Sequence, residues 1–268
     1  MLNRIFSKQN RALLAELVRT DFKLRYQGSF LGYAWSLLRP LMLFGILYVI
    51  FALVIKSGAG IPHFPAYLLL GIVIWTFFTD MTQQSLGSIV GRGDLIRKIR
   101  IPRWIIVFSS SISALINLGL NLIVVAIVLV INQVDIMSSV LFIPLILLEV
   151  YVFALGISLF LSAAFVKFRD IGYIWEVVLQ LGFYLTPILY AMSIIPAKFQ
   201  KIQLLNPVAQ AMQDARYSLI SHDPKIVTIW RVFNNGWYSL IPIIIVVLSL
   251  VGGLMYFKSQ ADSFAENI

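Results

Sequence analysis

A chain of 268 residues with 60% hydrophobic and 12% charged side chains and a mean hydropathy of +0.89 lies outside the range of soluble globular domains. It has no cysteine, which excludes disulfides, thiolate metal sites and a cysteine nucleophile. A net charge of +9 on so apolar a chain is first a matter of membrane topology, and nucleic-acid binding is not needed to explain it.

The apolar residues gather into stretches near or above the ~20 residues that a helix needs to cross hydrocarbon. Runs such as 118–131 show none of the alternation expected of a barrel strand. The expected fold class is therefore an all-α integral membrane protein. The first 30 residues contain no short apolar core followed by a small-residue cleavage site, and they read as a retained segment. Between Arg11 and Arg25, Leu13, Leu14, Leu17, Val18 and Leu24 share one side of a helical wheel while Glu16, Arg19 and Lys23 gather on the other. This pattern predicts an amphipathic helix in the membrane interface. The competing reading is a positive tail that only sets topology, because Asp21 and Arg25 intrude on the apolar side.

Continuous apolar segments follow at about 32–55, 64–88, 104–131, 139–166, 171–191 and 237–257. Six crossings put both termini on one side. With the N-terminus inside, fifteen of the 21 basic residues lie on the cytosolic side, as the retention of Lys and Arg there requires. The expectation is a multi-pass plasma-membrane protein with both ends cytosolic. Arg39 precedes Pro40 near the inner end of the first span; snorkelling accounts for the arginine, and the proline kinks or starts that helix.

Two connections are longer than simple hairpins need. The cytosolic stretch 91–104, GRGDLIRKIRIPRW, alternates Leu95, Ile96, Ile99 and Ile101 with Arg97, Lys98 and Arg100 before Pro102 ends the element. It reads either as a short amphipathic helix that docks on a soluble partner or as a positive loop touching lipid headgroups. The outside segment 193–235 is too apolar for a solvated linker, and Asn206-Pro207 looks like a helix start within it. Val208, Met212, Ala215 and Leu219 form a face, so one or two helices tucked into the outer leaflet or the mouth of a pathway are expected.

Within the spans, hydrocarbon penalises Asp80, Glu149 and Glu176 by roughly 2.5 kcal/mol or more each at a helix centre, so they should face protein or water. Glu149 is the deepest in its run. Each could line a pathway or be satisfied by a neighbouring hydroxyl. Aromatics such as Trp35, Trp75, Phe183, Tyr184 and Tyr190 lie near predicted boundaries, where an interfacial belt is the plain reading. The sharper one is a conduit whose flat rings stack on sugar faces. Neither histidine, His63 or His222, has a partnering cluster, so metal chemistry is not expected. No GxxxxGK[ST] phosphate cradle occurs.

The stretch 21–41, DFKLRYQGSFLGYAWSLLRPL, closely resembles the entry into the first span of the type-2 ABC permeases that export lipid-linked polysaccharides, the O-antigen, capsule and teichoic-acid exporter group. Arg25, Tyr26, Ser29, Leu31, Gly32, Trp35, Leu38 and Pro40 fit that pattern. Further matches are Phe168-Arg169-Asp170, Thr186-Pro187-Ile188 with Tyr190, and Asn206-Pro207 followed by Arg216. The resemblance runs over almost the whole chain. It implies a half-channel that pairs with a second copy and is gripped by two copies of a separate ATPase subunit, which binds ATP and Mg; no cofactor is implied in this chain.

In that reading Leu95, Arg97, Lys98, Ile99, Ile101 and Pro102 form a coupling helix, and Arg25 and Tyr26 belong to an interface helix. Glu149, Trp35, Tyr184 and Tyr190 are pathway residues, and Asn206, Pro207 and Arg216 belong to an outer gate. The glycan itself is not named by any residue. A drug- or lipid-exporting permease of the same type is the near alternative. A secondary transporter would show paired charges and related halves, and a polytopic transferase would show clustered carboxylates or histidines on one surface.

Overall fold

The computed structural model describes residues 8–26, 32–56, 61–98, 102–233, 236–261 and 264, which form helices joined by turns, with no strand among them. An N-terminal helix α1 (Lys8–Tyr26) packs along a later span, α5 (Trp104–Ile131). Its apolar side turns inward, with Leu17 buried, while Arg11, Glu16, Arg19 and Lys23 are exposed.

Helix α2 (Trp35–Tyr48) continues in π-helical turns over Val49–Val54. Pro40 sits buried inside it. A proline has no N–H to give the carbonyl four residues earlier, and that carbonyl, of Ser36, instead accepts from Asn121 Nδ2 of α5 at 3.4 Å. A partner on a neighbouring helix thus makes the proline tolerable in an apolar setting.

Helix α3 (Phe64–Leu86) is the core of the bundle. It is the least hydropathic of the candidate spans yet the most enclosed, with Ala66 through Trp75 buried without a break. It packs against α2, α5, α6 (Ile143–Lys167), α7 (Ile171–Leu185) and α9 (Pro207–Leu219). The short α4 (Gly93–Lys98) follows a 3-10 turn at Val90–Arg92. Helix α5 then carries Ser109, Ser110, Ser111, Ser113, Asn117 and Asn121 as buried polar positions; small hydroxylated residues of this kind let membrane helices approach closely.

The most extensive contact joins α6 to the last helix, α11 (Ile241–Gln260). Their backbones meet at Gly156 and Gly253. A Cβ on Gly156 would stand 2.5 Å from the Ser249 carbonyl carbon, and one on Gly253 would run into the Gly156 carbonyl oxygen. Only glycine permits this crossing.

Among the described residues, five helices are long and apolar enough to cross a membrane, spanning Trp35–Val54, Phe64–Leu86, Trp104–Ile131, Ser138–Lys167 and Tyr238–Gln260. The remaining apolar run, expected over 171–191, is helical only to Leu185, 15 residues in all. At ~1.5 Å per residue α7 reaches about 22 Å, short of a ~30 Å hydrocarbon core. Beyond Thr186-Pro187 the chain is irregular except for a 3-10 turn at Met192–Ile194. It then forms α8 (Ala197–Leu204), α9 and α10 (Ile229–Val232), which cap the end of the bundle opposite α4.

Candidate functional site

Helices α2, α3 and α7 enclose a groove of about 430 Å³. On α3, Thr76, Asp80 and Gln83 recur at helical spacing and share one face, joined by Thr79. On α7, Glu176, Gln180 and Tyr184 do the same. Arg39 and Pro40 close the third side from α2. The charged groups Arg39, Asp80 and Glu176 lie toward the end of the bundle that carries α4. The rings of Trp75, Phe183 and Tyr184 lie farther along, with Phe183 edge-on to Trp75 and to Tyr184 at centroid distances of 6.4 Å and 5.4 Å. Trp175 Nε1 donates to Thr82 Oγ1 at 3.1 Å and fixes α7 to α3 behind these walls. Carboxylates and amides on otherwise apolar helices thus converge on one concave surface, as membrane helices require of groups that lipid cannot solvate.

At the other end, Arg216 of α9 is fully buried. Its Nε donates to the Tyr67 carbonyl at 3.2 Å, Nη1 to the Pro187 carbonyl at 2.6 Å and Gln213 Oε1 at 3.0 Å, and Nη2 to the Ile188 carbonyl at 3.1 Å. The guanidinium also stacks on the Tyr67 ring, 3.5 Å from its centroid. All these partners are neutral. Burial pulls the guanidinium down to about 10, which leaves it charged at neutral pH. Arg216 therefore holds the break after α7 against α3, through the Pro187 and Ile188 carbonyls beyond the helix end and the Tyr67 carbonyl of α3.

Tyr190 completes that cap. Its hydroxyl donates to the Tyr184 and Leu185 carbonyls at 3.1 Å and 3.0 Å, and its own carbonyl accepts from the Tyr67 hydroxyl at 3.3 Å. Asn206 begins α9 by accepting from the Val208 N–H at 3.1 Å, with Pro207 buried at the first helical position.

Glu149 is half-buried on α6 and faces Gln210 and Asp214 of α9. Gln210 Nε2 donates to Asp214 Oδ2 at 2.5 Å. Burial pushes the Asp214 carboxyl up to about 6, and the bond from Gln210 pulls the other way.

The residues read from the sequence thus fall in several places. Tyr184 lines the groove, whereas Glu149 and Tyr190 stand at the α9 end and Trp35, 44% exposed, opens α2. On α4, Leu95 is half-buried and Arg97 exposed, Lys98 closes the helix, and Pro102 is half-buried beyond it. Ile99 and Ile101 lie outside the described residues, as do the side chains of Arg25 and Tyr26. The sequence reading missed Tyr67, Gly71, Gln210 and Asp214 as parts of the α9 end. Buried Tyr67 carries no local mark, and only the helical spacing of Gln210, Asp214 and Gln213 beside Arg216 hinted at a polar face.

The protein family described as ABC-2 type transporter matches residues 12–220. The chain is 32% identical over 261 residues to an O-antigen export system permease protein RfbA of Klebsiella pneumoniae, covering 95% of this chain and 94% of that one. It is 29% identical to the protein of the same name from Myxococcus xanthus, over 97% and 96% of the two chains. It is 20% identical to the capsule polysaccharide export inner-membrane protein CtrC of Neisseria meningitidis, over 90% and 88%.

Proposed function

The chain belongs to the ABC-2 type transporter family, and from that premise we infer that it is the membrane-spanning permease subunit of an ATP-driven exporter of a cell-envelope polysaccharide. Its similarity, nearly end to end, to permeases named for O-antigen export carries this reading. The groove between α2, α3 and α7 suits such a cargo, because carboxylates and amides meet sugar hydroxyls while flat rings stack on sugar faces and let a polymer slide.

The cargo is lipid-linked, since the groove lies among helices whose outer faces are apolar and a glycan carried on a lipid enters it from the bilayer. A second copy of the chain supplies the groove's missing wall; exposed apolar side chains on α2 and α7, such as Ile46, Ile174 and Val177, support that pairing. Trp35, Tyr184, Tyr190 and Glu149 serve the pathway, and Asn206, Pro207 and Arg216 its outer gate. The chain forms one membrane domain that crosses the inner membrane six times with both termini cytosolic. The distribution of basic residues supports this topology, and α7 with the residues to 191 makes the fifth crossing.

The energy comes from two copies of a separate ATPase, which hold ATP and Mg; this chain, without a phosphate cradle, is not itself the enzyme. Segment 91–104 docks on that subunit through Leu95, Arg97, Lys98, Ile99, Ile101 and Pro102, and α1, with Arg25 and Tyr26 at its end, lies along the same surface. Closure of the ATPase dimer pushes on these elements and shifts the membrane part between two conformations.

Co-purification with the ATPase encoded by a neighbouring gene tests the reading. A complex of two permeases and two ATPases, whose hydrolysis changes when segment 91–104 is altered, establishes it. A chain that purifies alone and never binds an ATPase overturns it.

A further inference from the structure

Three elements from separate parts of the chain meet at one ion pair beside the coupling segment. Asp21 of α1 pairs with Arg92, which closes the 3-10 turn Val90–Arg92 and is followed directly by α4. Arg92 Nη1 also donates to Ser109 Oγ at 2.9 Å and to the Ile106 carbonyl at 3.4 Å, both near the start of α5. Ser109 Oγ lies 3.3 Å from Asp21 Oδ2. The side chains of Arg92 and Asp21 are only 17% and 24% exposed, so salt screens their attraction less than that of a surface pair.

This arrangement explains why an acid interrupts the apolar side of α1. It also defines a path for force. Leu17 is buried where α1 packs along α5, and apolar contacts of that kind are non-directional. The charged hydrogen bonds of Arg92 are directional and short-ranged. With no residue between Arg92 and α4, any displacement of α4 displaces the backbone of Arg92.

We propose that Asp21, Arg92 and Ser109 form a transmission clasp that makes the interface helix α1, the coupling segment and the head of α5 move as one body when the ATPase acts on α4. Asp21 and Arg92 are positioning residues, since neither meets the cargo. The clasp rests on the exporter reading and adds the residue pair through which the push divides between α1 and α5.

The test uses the full chain with its ATPase partner in a deletion strain of its own host, with the host's surface polysaccharide as the probe. If deletion of the permease leaves that polysaccharide unchanged, the exporter reading itself fails, whatever the clasp does. With wild-type complementation working, Asp21→Asn and Arg92→Gln each lower surface polysaccharide per ATP hydrolysed by about tenfold, the effect of losing one charged hydrogen bond. Permease abundance and ATPase binding stay at wild-type levels. The exchanged pair Asp21→Arg with Arg92→Asp restores most of the ratio.

Single variants that keep the wild-type ratio overturn the proposal. So do single variants in which abundance, hydrolysis and export fall together, because that marks a structural pin rather than a transmission element.

Discussion

Arg216 and Tyr67 face each other across the contact of α9 with α3, the guanidinium carbon 3.5 Å from the ring centroid and Nε 3.2 Å from the Tyr67 carbonyl. The pair sits one helical turn from Gly71, where a Cβ would strike Arg216 Nη2. A flat cation, a ring and a missing side chain together let α9 lie against the core helix while its arginine grips the Pro187 and Ile188 carbonyls.

Arg216→Lys should lower the thermal midpoint of the detergent-purified permease, because an ammonium cannot stack and reach three carbonyls on two segments at once. A loss of about 2–4 kcal/mol is expected, in line with leaving buried carbonyls without donors. Gly71→Ala should act in the same direction, because its methyl displaces the guanidinium while leaving the arginine in place. A midpoint unchanged in both variants would show that the cage is not holding α9.

The crossing of α6 and α11 predicts an intolerant pair. Gly253→Ala places a methyl against the Gly156 carbonyl, and backbone cannot yield as a side-chain tip can. Overpacking costs of about 1–3 kcal/mol or more follow, seen as reduced folded yield by fluorescence-detected size exclusion. Gly252→Ala next to it, with open space at its Cβ position, should be silent.

Asp214 gives a pH signature. Its carboxyl is raised from 3.8 to about 6 in the folded protein, so the native state binds the proton more tightly than the unfolded state. Its destabilising contribution is therefore absent below pH 3.8, grows as pH rises, and is complete above about pH 6. Asp214→Asn removes the titration, and between pH 5 and pH 7 its thermal midpoint should fall less than that of the wild type. Parallel midpoint curves for the two proteins would contradict the assignment.

Much of the bundle was legible because the bilayer imposes lengths that a hydropathy pattern reveals, and the long apolar runs become helices within a few residues of their predicted ends. The run 171–191 was legible only as apolar. Its helix stops at Leu185 because Pro187 has no N–H to continue the ladder and because Arg216 and Tyr190 satisfy the carbonyls of the break. Asp21 was visible as an anomaly on α1, yet its partner Arg92 lies 71 positions away and carries no local mark. Arg216 was singled out by its motif, but Tyr67 and Gly71 become its partners only once α9 is laid on α3. The groove combines i, i+4 patterns on two helices, each unremarkable by itself.

Those two patterns carry the last prediction. Tyr184 is 63% exposed although it sits on an apolar helix, and it stands two turns from Glu176 on the face that lines the groove. If sugar rings pass there, Tyr184→Ala removes one stacking surface worth about 0.5–1.5 kcal/mol, so export should slow between about twofold and tenfold. Tyr184→Phe keeps the ring and should retain most of the rate. ATP hydrolysis should be nearly unchanged in both, since Tyr184 lies at the part of the groove farther from α4. Surface polysaccharide measured over time in complemented deletion cells reads the rate, and membrane abundance of each variant normalises it. Wild-type export by Tyr184→Ala would assign the ring to lipid contact and move the conduit away from α7.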